Sequence, residues 1–294
     1  MSQKTDLKRV PFGNKQTKDI LKYPQPSINF SPQIPPLKKI KDKTKIDIRY
    51  CLIAPYAYAH IYWDPKEYEL FYEIEEPELT IEEKKLKDQL IEALKSLVDF
   101  DILIEKDLEA LLEYIHQRAK ILAFELKLDL SYESYNKLYY YLCRDFVGMN
   151  EIEPILKDFF VEDIECNGID TPVYIVHRYY RNIKTNIEFE NLAKSESFTE
   201  KLAQRCGKHI SYSQPILDGS LHDGSRVNAT YTKDITSRGP TFTIRKFTQT
   251  PWTPPQLISF KTLSLEMMAY LWMLVEHKMN ILIAGGTGSG KTTL

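Results

Sequence analysis

The chain has 294 residues, room for two domains, and its 43% hydrophobic and 27% charged content is ordinary for a globular protein. A formal net charge of −2 argues neither for nor against a nucleic-acid partner. Cys51, Cys143, Cys166 and Cys206 lie far apart, with no C-x-x-C pair and no metal-ligand spacing, which fits a reducing compartment. The start, MSQKTDLKRVPFGNK, has no apolar core for a signal peptide, and no apolar run reaches the ~18 residues of a membrane span. A cytoplasmic location is expected.

Residues 1–45 read as a basic, proline-rich tail that buries too little apolar surface to fold alone. It is expected to be a solvated leader, with enough positive charge to attract an anionic membrane face. From Ile46 the pattern changes. Ile46–Ile53, Tyr58–Trp63 and Glu67–Ile74 are rich in Ile, Tyr and Phe and partly alternate with polar residues, which predicts a small antiparallel sheet. Helical spacing follows: Leu86, Leu90, Ile91 and Leu94; then Leu108, Leu111, Leu112, Ile115, Ala119 and Leu122; then Tyr132, Tyr135, Tyr139 and Leu142. His116 lies near one of these stripes without a second ligand at metal spacing and is expected to be an ordinary core or surface histidine. Residues 46–147 thus form a strand-plus-helix region.

A second domain is expected over 148–247. It has a short helix at Glu153–Phe160, strands at Val173–His177 and Asn186–Phe189, and a helix from Phe198 that ends at Gly207. Asp218-Gly219 and Asp223-Gly224 mark tight turns, and Arg226 enters a strand directly after the second. Thr241–Phe247 alternates as a strand with Arg245 opposite in face to Ile244, so two arginines emerge from one small sheet. If structural only, these arginines would pair with carboxylates such as Asp218 or Asp223. A proline-rich linker at 248–256 leads to an amphipathic helix, Ser264–His277. The overall class is α+β.

The last stretch, Asn280–Leu294, reads NILIAGGTGSGKTTL. Asn280–Ala284 predicts a short buried parallel strand, followed by a glycine-rich turn and the opening of a helix. The spacing Gly285-x-x-x-x-Gly290-Lys291-Thr292 is the full P-loop pattern in its strand–turn–helix context. Glycines let successive backbone N–H groups point inward as an anion nest, and the following helix start adds unpaired donors. Lys291 supplies charge for the β- and γ-phosphates, and Thr292 a hydroxyl for Mg²⁺.

Together VEDIECNG, TPVYIVHRYY, QPILDGSLHDGSRVNATY, GPTFTIRKF and GGTGSGKTTL resemble the archaeal secretion ATPases, relatives of type II secretion, type IV pilus and archaellum assembly motors. The resemblance runs from about Tyr50 to Leu294. It implies a hexameric ATPase in which a PAS-like N-terminal domain (148–247) joins a RecA-like motor domain whose start is 257–294. On that resemblance ATP and Mg²⁺ are held by Gly286, Thr287, Gly288, Ser289, Gly290, Lys291, Thr292 and Thr293, with Thr292 on the metal. Lys291, Arg226 and Arg245 would stabilise the transferring phosphoryl, the two arginines reaching the nucleotide from a closing N-terminal lobe.

The family's Walker B acid, catalytic glutamate and later boxes would lie beyond Leu294. Without them the P-loop strand is expected to expose Ile281 and Ile283, to leave Lys261–Leu294 poorly packed, and to bind nucleotide weakly. The leading expectation is an ATP-driven motor docked on a membrane platform protein at the inner face of the cell membrane. A truncated, non-enzymatic module that docks on the same platform is the alternative. A DNA-transfer motor ranks last, because charges of both signs are interspersed in the folded part and no nucleic-acid partner is expected.

Overall fold

The computed structural model describes residues 23–30, 34, 35, 37, 40–97, 108–125, 128, 130–247 and 253–286. Three strands come first: β1 (Asp47–Ile53), β2 (Ala57–Asp64) and β3 (Glu69–Glu75), an antiparallel meander in which buried and half-exposed residues alternate. Then come α1 (Ile81–Leu97), α2 (Leu108–Glu125), α3 (Tyr132–Phe146) and the short α4 (Glu153–Lys157). The remainder of the first unit is β4 (Val161–Cys166), β5 (Pro172–His177), β6 (Arg181–Glu188), α5 (Leu192–Arg205), β7 (Ile216–Ser220), β8 (Arg226–Thr230) and β9 (Thr241–Arg245).

All of these strands form one sheet of order β1-β2-β3-β6-β5-β4-β9-β8-β7. Every pairing is antiparallel except β3 with β6, where Phe71 meets Lys184 and Tyr72 meets Thr185. The strands expected in two separate regions are therefore hydrogen-bonded into a single sheet. At that junction the Asn186 side chain stands in for a peptide group: its Oδ1 accepts from Ile74 N at 2.9 Å and its Nδ2 donates to Ile74 O at 3.1 Å. β6 begins at Arg181, five residues before the start expected from sequence, and Val161–Cys166 is a strand in its own right.

Register separates the two faces. Ile183, Ile175, Ile164, Ile244 and Val227 are cross-strand neighbours in one row, and each is buried. They belong to one apolar core with residues of α1, α2 and α3, including Leu90, Leu94, Ile115 and Leu138. Phe189, the Phe198 of α5 and the Phe242 of β9 meet within it in tilted and edge-to-face pairs, with ring centroids 5.0–5.8 Å apart. The opposite face carries the partly exposed residues Tyr62, Phe71, Lys184, Tyr174, Asn228 and Arg245. An antiparallel sheet with one wet face needs this alternation.

Helix ends are satisfied locally. Ser131 caps α3 by accepting from Ser134 N at 3.0 Å. At the other end of α3, Arg205 donates to the carbonyls of Phe146 and Val147 at 2.8 and 2.7 Å, and Lys201 to that of Asp145, cations at the negative end of a helix dipole. Gly207, expected to end α5, follows the cap residue Cys206 with φ of +65°.

The solvated-leader reading of 1–45 is corrected in part. Tyr23 and Phe30 are buried, and Tyr23 stacks on Tyr135 with centroids 4.3 Å apart while its hydroxyl donates to Leu130 O. Within the described part of the segment, two aromatic anchors join the core built by α3 and the sheet. His116 is a core residue as expected, its Nδ1 2.9 Å from the Tyr135 hydroxyl.

The second unit is Phe247–Leu294. Pro254 and Pro255, expected in a linker, are the first two residues of α6 (Pro254–Ser259), where proline's missing N–H costs nothing. The Thr253 and Gln256 side chains close a capping box at its start. α7 (Leu265–Glu276) matches the expected helix and starts at the cap Ser264. None of its residues is buried; Trp272 is 68% exposed. The expectation of a buried strand at Asn280–Ala284 is overturned: the backbone there is in no strand, and Leu282 is 93% exposed. A strand needs a hydrogen-bonded neighbour, and this segment has none among the described residues. Ile281 and Ile283 are exposed, as the loosely packed reading anticipated.

Candidate functional site

Arg226 and Arg245 are brought together by a hairpin and its return. The turn between β7 and β8 is closed by Leu221 N on Ser225 O at 2.8 Å and Gly224 N on Leu221 O at 2.9 Å. Gly224 has φ of +86°, a conformation that favours glycine. Asp223 is used inside this turn, its carboxylate accepting from the backbone N–H and hydroxyl of Ser225 at 2.9 Å each. β8 therefore starts with Arg226, and β9 returns so that Arg226 stands directly opposite Arg245.

The row continues on both sides. Ser220 pairs with Arg226 on β7, and Asp163 pairs with Arg245 on β4. Directly opposed residues share a face, so Ser220, Arg226, Arg245 and Asp163 form one line across four strands on the wet side. The carboxylate that meets an arginine is neither Asp218 nor Asp223 but Asp163, with Oδ1 3.9 Å from Arg245 Nε. That separation is too long for a hydrogen bond. No ion pair of Arg226 is found among the described residues. Two guanidinium groups side by side repel unless an anion lies between them, and their forks fit phosphate oxygens. Nothing in the sequence beyond the VEDIECNG stretch singles out Asp163.

Directly beneath, Lys246 fixes the end of β9. Its N–H donates to Glu162 O at 2.8 Å, and its ammonium donates to the carbonyl of Asp158 just past the C-terminus of α4. Burial pushes this amine down to about 8, with Asp158 opposing the shift. Asp158 is itself buried and accepts at Oδ2 from the hydroxyls of Tyr50 (2.5 Å) and Tyr72 (2.7 Å), and at Oδ1 from Phe160 N (2.8 Å). Burial and the adjacent carboxylate hold both phenols well above the usual tyrosine range. His177, stacked on Phe160 and Tyr180, is pulled down to about 4 by burial. This cluster is structural; it sets the depth and direction of the chain just after Arg245.

Of the P-loop residues expected to hold the nucleotide, Gly286 is described, and a Cβ placed there meets nothing within 4 Å. Thr287, Gly288, Ser289, Gly290, Lys291, Thr292 and Thr293 lie outside the described residues. The described part of the expected site is thus Gly286 and the arginine row. Among the described residues no group of His, Cys, Asp and Glu could hold a metal ion, and no helix is long and apolar enough to cross a membrane.

No family model matches the chain. It is 36% identical over 274 residues to the uncharacterized protein MJ0900 of Methanocaldococcus jannaschii, covering 87% of this chain and 49% of that one. A conjugal transfer protein, TrbB of Rhizobium radiobacter, is 35% identical over 81 residues, 28% of this chain and 25% of its own. Among solved structures, the VirB11 ATPase of the Brucella suis type IV secretion system, in complex with sulphate, aligns over 48% of each chain at 20% identity. Its TM-score is 0.32, too loose to fix a shared fold. The chain spans about half the length of MJ0900 but 79% of the uncharacterized protein MJ1288 of M. jannaschii, to which it is 40% identical over 200 residues, or 68% of its own length. On that coverage and identity, this chain belongs to the family of MJ1288.

Proposed function

We propose that the protein is an ATP-binding motor subunit of a secretion or filament-assembly system, of the type II secretion and type IV pilus kind. The carrying observation is the P-loop spacing Gly285-x-x-x-x-Gly290-Lys291-Thr292 after an apolar run. The arginine row supports it, because Arg226 and Arg245 are presented together without a carboxylate of the described residues in hydrogen-bond range of either. In this reading backbone N–H groups from Gly286 to Thr293 cradle the phosphates, Lys291 adds a point charge, and the Thr292 hydroxyl holds Mg²⁺. Arg226 and Arg245 neutralise charge on the outer phosphates. The bound nucleotide and metal supply the phosphoryl chemistry. The working protein is a homo-oligomer, a hexamer, set against a membrane platform protein at the cytoplasmic face.

Titration with a fluorescent ATP analogue and Mg²⁺ tests this. Binding should be saturable and lost in Lys291→Ala, while Arg226→Ala and Arg245→Ala each weaken it; saturable binding that survives Lys291→Ala would refute the P-loop assignment. The match to a protein named for conjugal transfer favours a second reading, a motor for DNA transfer. It differs in one observable: hydrolysis by the longer homologue MJ0900 would rise with added DNA.

A further inference from the structure

The nine-stranded sheet ends at two open edges, β1 and β7. An odd number of its pairings is antiparallel, so these two strands run in opposite directions. Ile46 O accepts from Trp63 N, and Pro215 O from Tyr231 N, which fixes the phase of each edge. Residues in step with those bonds turn inward, and the alternate ones point their backbone N–H and C=O outward. On β1 the outward residues are Asp47, Arg49 and Cys51; on β7 they are Ile216, Asp218 and Ser220. All six side chains lie on the wet face, since Asp47 is paired with Tyr62 and Ser220 with Arg226. Among the described residues no backbone group is bonded to these outward groups; the Lys208 ammonium reaches the Asp218 carbonyl, a placeholder for the donor that a neighbouring strand would bring. Ile216 is 69% exposed on this rim. Arg49 is already oriented on the other: its Nε donates to Glu75 at 2.5 Å and its guanidinium lies 4.2 Å from the Tyr58 ring centroid.

We propose that the β7 edge docks a second copy of this chain, which adds its β1 antiparallel to β7 with Arg49 facing Asp218, Cys51 facing Ile216 and Asp47 facing Ser220. This deepens the homo-oligomer named above and stands without the motor reading, because nucleotide takes no part in it. Opposite charges meet at the centre, a thiol meets an apolar side chain, and a carboxylate meets a hydroxyl. Each facing pair can exchange two backbone hydrogen bonds. Because the two edges run oppositely, the second copy is not turned over, and its wet and core faces continue those of the first. Like edges fit worse: in full overlap β7 on β7 sets Asp218 against Asp218, and β1 on β1 sets Arg49 against Arg49, like charges directly opposite. The contact joins unlike surfaces, so each added copy leaves one edge free for the next.

Disulfide trapping on the full chain, without nucleotide, tests this. Directly facing residues in such a pair have Cα atoms about 5.5 Å apart, within disulfide reach. Ile216→Cys, mildly oxidised, should give covalent dimers and longer species on a non-reducing gel, and these should vanish when Cys51→Ser is added. Ser220→Cys is the register control: its facing position is Asp47, away from Cys51, so it should trap at least about tenfold less. Asp218→Lys sets a like charge against Arg49 and should weaken association in sedimentation about tenfold. The three substituted β7 residues are exposed, so the fold should survive, which circular dichroism checks; should Cys51→Ser misfold, Cys51→Ala takes its place. A monomer at every concentration, an oligomer in which Ile216→Cys never traps Cys51, or equal trapping by Ser220→Cys overturns the edge pairing. ATP binding, measured separately, decides the motor reading by itself.

Discussion

Removing the hydroxyl of Tyr72 measures how much the buried carboxylate of Asp158 contributes to the fold. Tyr72 is 0% exposed, and its ring fills core space that Phe keeps. Tyr72→Phe deletes one charge-assisted hydrogen bond of 2.7 Å while Tyr50 and Phe160 N still serve the carboxylate. Hydrogen bonds to charged groups contribute about 1.5–3 kcal/mol, so a loss in that range is expected. Asp158→Ala is harsher. It strands two phenols and a backbone N–H, each about 1–3 kcal/mol when buried and unpaired, for about 3–9 kcal/mol in all. That is a large part of the about 5–15 kcal/mol stability of a typical domain. Urea unfolding followed by far-ultraviolet circular dichroism reads both variants, with the m-value checking that compactness is unchanged. The reasoning is refuted if Tyr72→Phe falls within about 0.5 kcal/mol of wild type, or if Asp158→Ala costs no more than Tyr72→Phe.

Two further outcomes follow from buried groups elsewhere. His177 is held neutral, its folded value near 4 against 6.5 in the unfolded chain, so the unfolded state takes up the proton first as pH falls. Its contribution is intact above pH 6.5 and is lost between pH 6.5 and about 4, on the order of 3 kcal/mol; a flat stability profile across that window would contradict it. Gly168 has φ of +118°, and a Cβ there would come within 2.5 Å of the Arg238 Cβ and 2.6 Å of its carbonyl oxygen. Gly168→Ala should therefore cost about 2 kcal/mol or more in a thermal melt, and a neutral result would show that the Arg238 loop yields freely.

Local pattern made much of this architecture legible. The alternation in Ile46–Ile74 and the helical stripes at Leu86–Leu94 and Tyr132–Leu142 appear as β1–β3, α1 and α3. The placement of two arginines on neighbouring strands was readable from the turn dipeptides and the TFTIR alternation. The pairing of β3 with β6 was not, because partners more than a hundred residues apart leave no local signature. The role of Asp158 was hidden for the same reason: one acidic residue in KDFF gains its meaning from tyrosines on β1 and β3. Thr253-Pro-Pro-Gln256 did carry a readable signal, a capping box with proline at the helix start, which outweighs proline's reputation as linker material. At Asn280–Ala284 the apolar run was read correctly as composition, but composition supplies no hydrogen-bond partner.

The join between β3 and β6 gives the sheet a grain. Elsewhere each strand is stitched to its neighbour over four or more residues' length, but here register is held by two facing pairs and the amide of Asn186. A side-chain amide that mimics a peptide can be supplied by one residue and withdrawn by one residue. The β1–β3 meander is therefore a panel mounted on the strands that hold Arg226 and Arg245, rather than part of their weave.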